Sequence, residues 1–331
     1  MTDNQNLAGD RGKPLRMLGR AIRSQARRLR SPLAPAPCLS SAMSTAAPTF
    51  KLALCQIAVG DDKRKNIATA TAAVTEAAKN AAQVVSLPEC WNSPYATTSF
   101  PQYAEEIPEK KEMLNEKDHP STFALSQLAA KLQIYLVGGS IPEKDTAGKV
   151  YNTCVIYSPE GEILGKHRKV HLFDIDVPGK ITFKESDTLS PGNSLTLFET
   201  PYGKMGVGIC YDIRFPELSM LMKKQGAKVL LFPGAFNLTT GPAHWELLQR
   251  ARAVDNQLYV AATSPARGPE GGYQAWGHST VISPWGEVVA TCEHGETIVY
   301  ADVEIEKVEE MRRNIPTTNQ ARSDIYELVQ K

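Results

Sequence analysis

From Phe50 onward, short apolar runs alternate with stretches of helical period. Leu52–Val59 reads as a strand and Ile67–Lys79 as an Ala-rich helix. Val84–Leu87 is a second strand, ending in Pro88-Glu89. A helix over Ser121–Leu132 leads into a strand over Ile134–Gly138. Val150–Tyr157 and Ile163–Val170 form a hairpin across Pro159-Glu160-Gly161. Strands at Leu195–Glu199 and Lys204–Ile209 precede a helix entered at Pro216 and closed by Gly226. Val229–Phe232 is a strand, and Ala243–Asp255 is a helix that opens after Gly241-Pro242. Strands at Leu258–Thr263, Ser279–Ser283, Val288–Thr291 and Ile298–Val303 follow, then a short helix over Ile305–Arg312. Antiparallel hairpins inserted among βα units predict an α/β fold with two mixed sheets packed face to face and covered by helices. A single Rossmann sheet fits less well, and the chain has no GxGxxG.

One turn recurs. Ser158-Pro159-Glu160-Gly161-Glu162 returns 125 positions later as Ser283-Pro284-Trp285-Gly286-Glu287, each time between two strands. The repeat hints at two similar halves.

Composition adds mainly exclusions. The 331 residues are 42% hydrophobic and 22% charged, with a net charge of +1, which argues against nucleic acid as a partner. No run reaches the roughly 18 apolar residues of a membrane span. The six cysteines are scattered with no CxxC pair, and the six histidines lack metal spacing. No disulfide framework, metal site or cofactor is therefore expected, and a reducing compartment suits the chain.

Residues 1–48 read differently. Eight basic residues and no acid lie between Arg11 and Arg30, with Leu15, Leu18, Ile22 and Leu29 on one helical face. Pro32, Pro35 and Pro37 then break the pattern. This disordered basic leader has the character of an organelle transit peptide, mitochondrial or plastid, on a product begun at Met1. Asp3 and Asp10 run against that reading, and a start at Met43 yields a cytoplasmic product. The fold itself is expected over 49–331.

The segment Gly208-Ile209-Cys210-Tyr211-Asp212 places a thiol where a buried strand turns into a helix. Such an elbow exposes a nucleophile at a sheet edge, and a nearby helix N-terminus favours thiolate. The alternative is an inert core cysteine. Glu89 follows an apolar strand and a proline, where a carboxylate is costly unless paired or protonated. Lys169 ends a hairpin strand within Arg168-Lys169-Val170-His171-Leu172. Glu185 lies in a loop from Phe173 to Gly192, and a loop of that length inside a compact domain is usually functional.

Together these residues resemble the carbon–nitrogen hydrolase (nitrilase) superfamily from about Lys51 to about Arg322. The resemblance implies a four-layer αββα sandwich carrying a Glu-Lys-Cys triad. It assigns Glu89 as general base, Lys169 as the lysine, Cys210 as nucleophile, and Glu185 as the second glutamate that positions substrate and base. Pro88–Tyr95, Phe173–Lys180 and Pro233–Trp245 are most similar to the omega-amidase branch. That branch implies hydrolysis of the terminal amide of dicarboxylate monoamides such as 2-oxoglutaramate and succinamate. Deaminated glutathione or an N-carbamoyl amino acid is the alternative substrate.

In such a mechanism Glu89 takes the thiol proton as Cys210 attacks. Lys169 and the Tyr211 N–H hold the oxyanion, and no cofactor is needed. A substrate carboxylate needs a receiver: the Tyr95 hydroxyl, or Arg214 as a bidentate partner. Arg214 has a second reading, a salt bridge to Asp212 or Glu217 that braces the elbow. His244 and Phe236 are pocket candidates, with core packing the alternative for Phe236. A rival chemistry pairs Cys210 with His171 or His244, and a non-catalytic scaffold is a further reading. The resemblance also implies a homodimer through the Phe215–Met222 surface.

Overall fold

The computed structural model describes residues 47–331. The leader expected over 1–48, including Met43, lies outside the described residues except for its last two. Ala47 packs against the core, and the Pro48 carbonyl accepts from the Ile305 N–H at 3.2 Å.

The elements are β1 (Thr49–Gln56), α1 (Lys63–Lys79), β2 (Val84–Ser86), α2 (Phe100–Tyr103), α3 (Pro120–Leu132), β3 (Tyr135–Lys144), β4 (Val150–Tyr157) and β5 (Ile163–Arg168). Then come β6 (Asp174–Val177), β7 (Ile181–Lys184), β8 (Thr196–Phe198), β9 (Met205–Val207), α4 (Pro216–Lys224), β10 (Val229–Pro233) and α5 (Gly241–Asn256). The chain continues with β11 (Tyr259–Thr263), β12 (Thr280–Ile282), β13 (Val288–Thr291), β14 (Thr297–Glu304), α6 (Ile305–Asn314) and α7 (Thr317–Gln320). Local chemistry sets the helix starts. Asp62 caps α1 by accepting from the Arg64 and Lys65 N–H groups. Proline opens α3, α4 and α5, where its missing N–H costs nothing.

Two six-stranded sheets result, ordered β14-β1-β2-β3-β4-β5 and β13-β12-β11-β10-β9-β8. Each has a parallel trio, β1-β2-β3 or β9-β10-β11. An antiparallel strand flanks each trio on one side, β14 or β8. An antiparallel hairpin flanks it on the other, β4-β5 or β12-β13. The repeated turn closes equivalent hairpins. The Ser158 and Ser283 N–H groups donate to the Glu162 and Glu287 carbonyls, both at 2.9 Å, and Gly161 and Gly286 share a φ of 78°.

Alternation along the strands decides which face is buried where. Leu52, Leu54, Val84 and Ile156 of the first sheet meet Val207, Leu230, Phe232 and Val260 of the second in one cluster. Ala53, Val85 and Leu136 point the other way, onto Val74, Ala77, Leu125 and Ala129 of α1 and α3. Leu218 and Met222 of α4, with Trp245 and Ala253 of α5, bury the outer face of the second sheet. This is the αββα sandwich.

Two expectations are corrected. The strand ended at Gly138 continues to Lys144 through a register shift between Val137 and Ser140. Gly139 has φ +62°, and a Cβ there would lie 2.3 Å from the Pro88 carbonyl oxygen. The glycine pair is thus a bulge that admits the Pro88-Glu89 turn, not a strand end. The Phe173–Gly192 loop contains the β6–β7 hairpin. Its four-residue arms are too short for a period to register.

Candidate active site

Four chain segments deliver the charged and nucleophilic groups. Past β9, Cys210 opens a one-turn 3-10 helix, Cys210–Arg214. Its φ is +46°, as expected of a strained nucleophile elbow. Gly208 is needed two residues earlier, because a Cβ there would lie 2.5 Å from the Phe232 ring. Past β2, Glu89 precedes Cys90, whose φ is also left-handed at +51°. The β3 bulge holds that turn: the Trp91 indole donates to the Gly138 carbonyl at 2.7 Å, and the Cys90 N–H to Ser140 Oγ at 3.0 Å. Lys169 follows β5, its N–H on the Asn152 carbonyl at 2.8 Å. Glu185 follows β7.

These groups converge in a buried cluster. Lys169 Nζ donates to Glu89 Oε1 at 2.8 Å and to Glu185 Oε1 at 2.9 Å, and all three side chains are 0% exposed. Glu185 is held at both oxygens, by the Tyr95 hydroxyl at 3.0 Å on Oε1 and the Phe173 N–H at 2.8 Å on Oε2. Asn152 Nδ2 donates to Glu89 Oε1 at 2.9 Å. Glu89 Oε2 is buried without a hydrogen-bond partner among the described residues. The Cys210 thiol lies beside this carboxylate, near enough for each to shift the other's pKa.

The electrostatics assign protonation states. Burial opposes the Lys169 cation, but the charges of Glu185 and Glu89 outweigh it and hold its pKa well above the ordinary lysine value. Burial raises the Glu89 carboxyl above its ordinary value, against the pull of Lys169. Burial and then the Glu89 charge push the Cys210 thiol well up. Burial disfavours the charged thiolate, so attack by the sulfur needs a base.

The remaining candidates divide. The Tyr95 hydroxyl, expected as a receiver for a substrate carboxylate, is turned onto Glu185, with Glu89 Oε1 at 3.4 Å. Tyr211 precedes Asp212, whose N–H bonds back to the Ile209 carbonyl at 2.9 Å, which puts the Tyr211 N–H at the open end of the turn. Arg214 makes no salt bridge to Asp212 or Glu217. Its guanidinium lies 4.8 Å over the Phe236 ring and 5.5 Å over the Tyr211 ring, with His244 Nδ1 3.3 Å from Nη1. Phe236 is buried edge-on to Trp245.

Asp212 is spent elsewhere. It accepts from His167 Nε2 at 3.0 Å, His171 Nδ1 at 2.8 Å, the His171 N–H at 2.9 Å and the Ile209 N–H at 2.9 Å. His167 and His171 flank Lys169, so Asp212 ties the lysine segment to the cysteine elbow. His171 also stacks on Phe215 with centroids 3.6 Å apart. Neither His171 nor His244 is partnered with the sulfur, which counts against a Cys-His pair.

Despite its burial, Asp212 has a pKa held far below the ordinary aspartate value by His167 and His171. A depressed folded pKa gives stability that is complete above the unfolded pKa, about 3.9, and is lost as pH falls below it. Asp212→Asn is expected to destabilise the protein by roughly 2–4 kcal/mol at neutral pH. In urea unfolding that deficit shrinks as pH is lowered through the wild-type transition.

Sequence reading missed Asn152, Asp212 as a clamp, and Tyr273. The Tyr273 hydroxyl donates to the Ala235 carbonyl, and its ring lies 4.4 Å from that of Tyr95. With Glu89, Cys90, Tyr95 and Ala235 it lines a cleft of about 220 Å³. The glycines of Gly268–Gly272, just before it, are the local signal of a loop there.

Comparison with known proteins agrees with this geometry. Residues 51–313 match the carbon-nitrogen hydrolase family. The chain is 58% identical to the omega-amidase NIT2 of Bos taurus, over 86% of this chain and 99% of that protein. It is 54% identical to nitrilase homolog 2 of Dictyostelium discoideum, over 84% and 82%. The crystal structure of Saccharomyces cerevisiae Nit3, of the nitrilase superfamily, superposes with a TM-score of 0.76 at 45% identity, covering 84% of this chain and 98% of that one. With the family match, the sandwich and the Glu-Lys-Cys cluster in agreement, this chain belongs to the carbon–nitrogen hydrolase family.

Proposed function

We propose that this protein is an omega-amidase, hydrolysing the terminal amide of a dicarboxylate monoamide such as 2-oxoglutaramate or succinamate to the dicarboxylate and ammonia. The observation that carries this reading is the Arg214 cation. It is partly buried, closes the same 3-10 helix that Cys210 opens, and its buried Nε has no partner among the described residues. A buried cation without a carboxylate is costly unless a ligand supplies one. A free carboxylate at the far end of the substrate does so, and relatives named omega-amidase at 55–58% identity support the choice.

The chemistry follows from the protonation states. Glu89 takes the Cys210 proton as sulfur attacks the amide carbon. Two of the three Lys169 protons are held by Glu89 and Glu185, which leaves the third for the oxyanion, beside the Tyr211 N–H. Protonated Glu89 then gives its proton to the departing nitrogen as the C–N bond breaks, leaving a thioester. Water, deprotonated by Glu89, attacks the thioester carbon and restores the thiol. A carboxyl with a raised pKa suits both roles.

Arg214→Gln is expected to lower kcat/KM for 2-oxoglutaramate roughly 10–100-fold, the value of hydrogen bonds to a charged group. Turnover of a short amide without the carboxylate stays unchanged. Equal loss on both substrates rejects the carboxylate role. Faster wild-type turnover of deaminated glutathione or an N-carbamoyl amino acid rejects the substrate assignment.

The proposal extends to a homodimer through the α4–α5 face. Leu218 and Met222 are buried in their own core, whereas Met220, Leu247 and Val254 are 40%, 62% and 45% exposed. Leu247→Glu is expected to shift the sedimentation of a dimer to that of a monomer. For the leader we propose organelle import of the product begun at Met1. Fusion of residues 1–48 to a reporter tests it, and a diffuse cytosolic signal rejects it.

A further inference from the structure

We propose that His278, Glu293 and His294 form a binding site for a transition-metal dication of the Zn²⁺ type, at the open end of the β12–β13 hairpin. One ligand atom from each lies within 4.8 Å of the others. The hairpin register creates the cluster. Thr280 pairs with Thr291, so two residues outward His278 faces Glu293, and the His278 N–H donates to the Glu293 carbonyl at 3.3 Å.

The backbone is fixed before any ion arrives. Gln56 Nε2 donates to the Glu293 carbonyl at 2.7 Å and the Gly295 carbonyl at 2.6 Å. Gly277 has φ +76°, and a Cβ there would lie 2.5 Å from His294 Cα. Only glycine lets the segments approach so closely. The His278 ring is stacked on Trp276 with centroids 4.3 Å apart. The ligand atoms must close to about 3.3 Å from one another for bonds of about 2.0–2.2 Å. Exposed Glu293 and His294 have the freedom to do so by side-chain rotation.

The donor set selects the ion. Two imidazoles and one carboxylate suit zinc, cobalt, nickel or copper, whereas magnesium and calcium prefer all-oxygen sites. Three protein ligands on an exposed loop leave a fourth position to water. Sequence spacing hid the site, because His278 lies 15 or more residues from its partners and only the hairpin brings them together.

The test is titration of the full chain with Zn²⁺ by calorimetry and with Co²⁺ by visible absorption. One equivalent is expected, with a spectrum of nitrogen and oxygen ligation and no sulfur-to-cobalt band. His294→Ala and His278→Asn, the latter chosen because His278 has φ +57° and asparagine tolerates left-handed φ, should each weaken binding more than ~10-fold. Both should keep amide turnover. Absence of binding, binding that survives both substitutions, or a sulfur band that moves the ion to a cysteine overturns the proposal.

Discussion

Replacing Cys210 with alanine is expected to lower ammonia release by a factor on the order of 10⁵–10⁶ while leaving the fold intact. That is the scale on which removing the nucleophile of a catalytic set acts. Nothing nearby substitutes for the sulfur. The surrounding charged groups are two carboxylates and an ammonium held protonated by its neighbours, and the Cys90 thiol in the same cleft is pushed well up by burial and then by the Glu89 charge, away from thiolate. The thiol is a small part of a dense core, and alanine keeps the Cβ that the φ of +46° already accommodates. Thermal unfolding should therefore move little. Turnover within tenfold of wild type would place the chemistry at another atom.

The second large effect falls on activity and stability together. Lys169→Met is expected to reduce turnover by more than the ~10²–10³-fold of a lost oxyanion donor. Removing the ammonium leaves Glu89 and Glu185, which both bond it, as neighbouring charges in a site with 0% exposure. One of them must then take up a proton, and a protonated Glu89 is no base. Breaking a buried pair from one side costs about 3–5 kcal/mol, so urea midpoints should fall as well. By contrast, His171→Ala removes only one of the Asp212 contacts, and a loss of no more than ~10-fold is expected. If the histidine substitution proved lethal and the lysine one mild, a Cys-His mechanism would be restored.

Much of this arrangement was legible in the chain because it depends on local contrast. A carboxylate or thiol that ends a buried apolar run stands out, as Glu89 and Cys210 do. The repeated Ser-Pro-x-Gly-Glu turn hints at two similar halves, and in the fold it closes the equivalent hairpins β4-β5 and β12-β13. What escaped depends on contacts distant in sequence. Asn152 sits in the middle of a buried strand, and nothing local distinguishes its amide from a core polar group. Asp212 was read beside Arg214, yet its partners His167 and His171 lie about forty residues away. The Gly138-Gly139 pair looked like punctuation because a bulge and a terminus share the same signal. The depth of burial around Cys210, which pushes its thiol well up, is likewise a property of the fold and not of the local sequence.

An acid quench during turnover, followed by intact-mass measurement and peptide mapping, tests the central claim most directly. The account predicts a transient adduct with the mass of the amide substrate less ammonia, confined to the peptide that bears Cys210 and absent from Cys210→Ala. Steady turnover with no such adduct, or an adduct on a different residue, would contradict it.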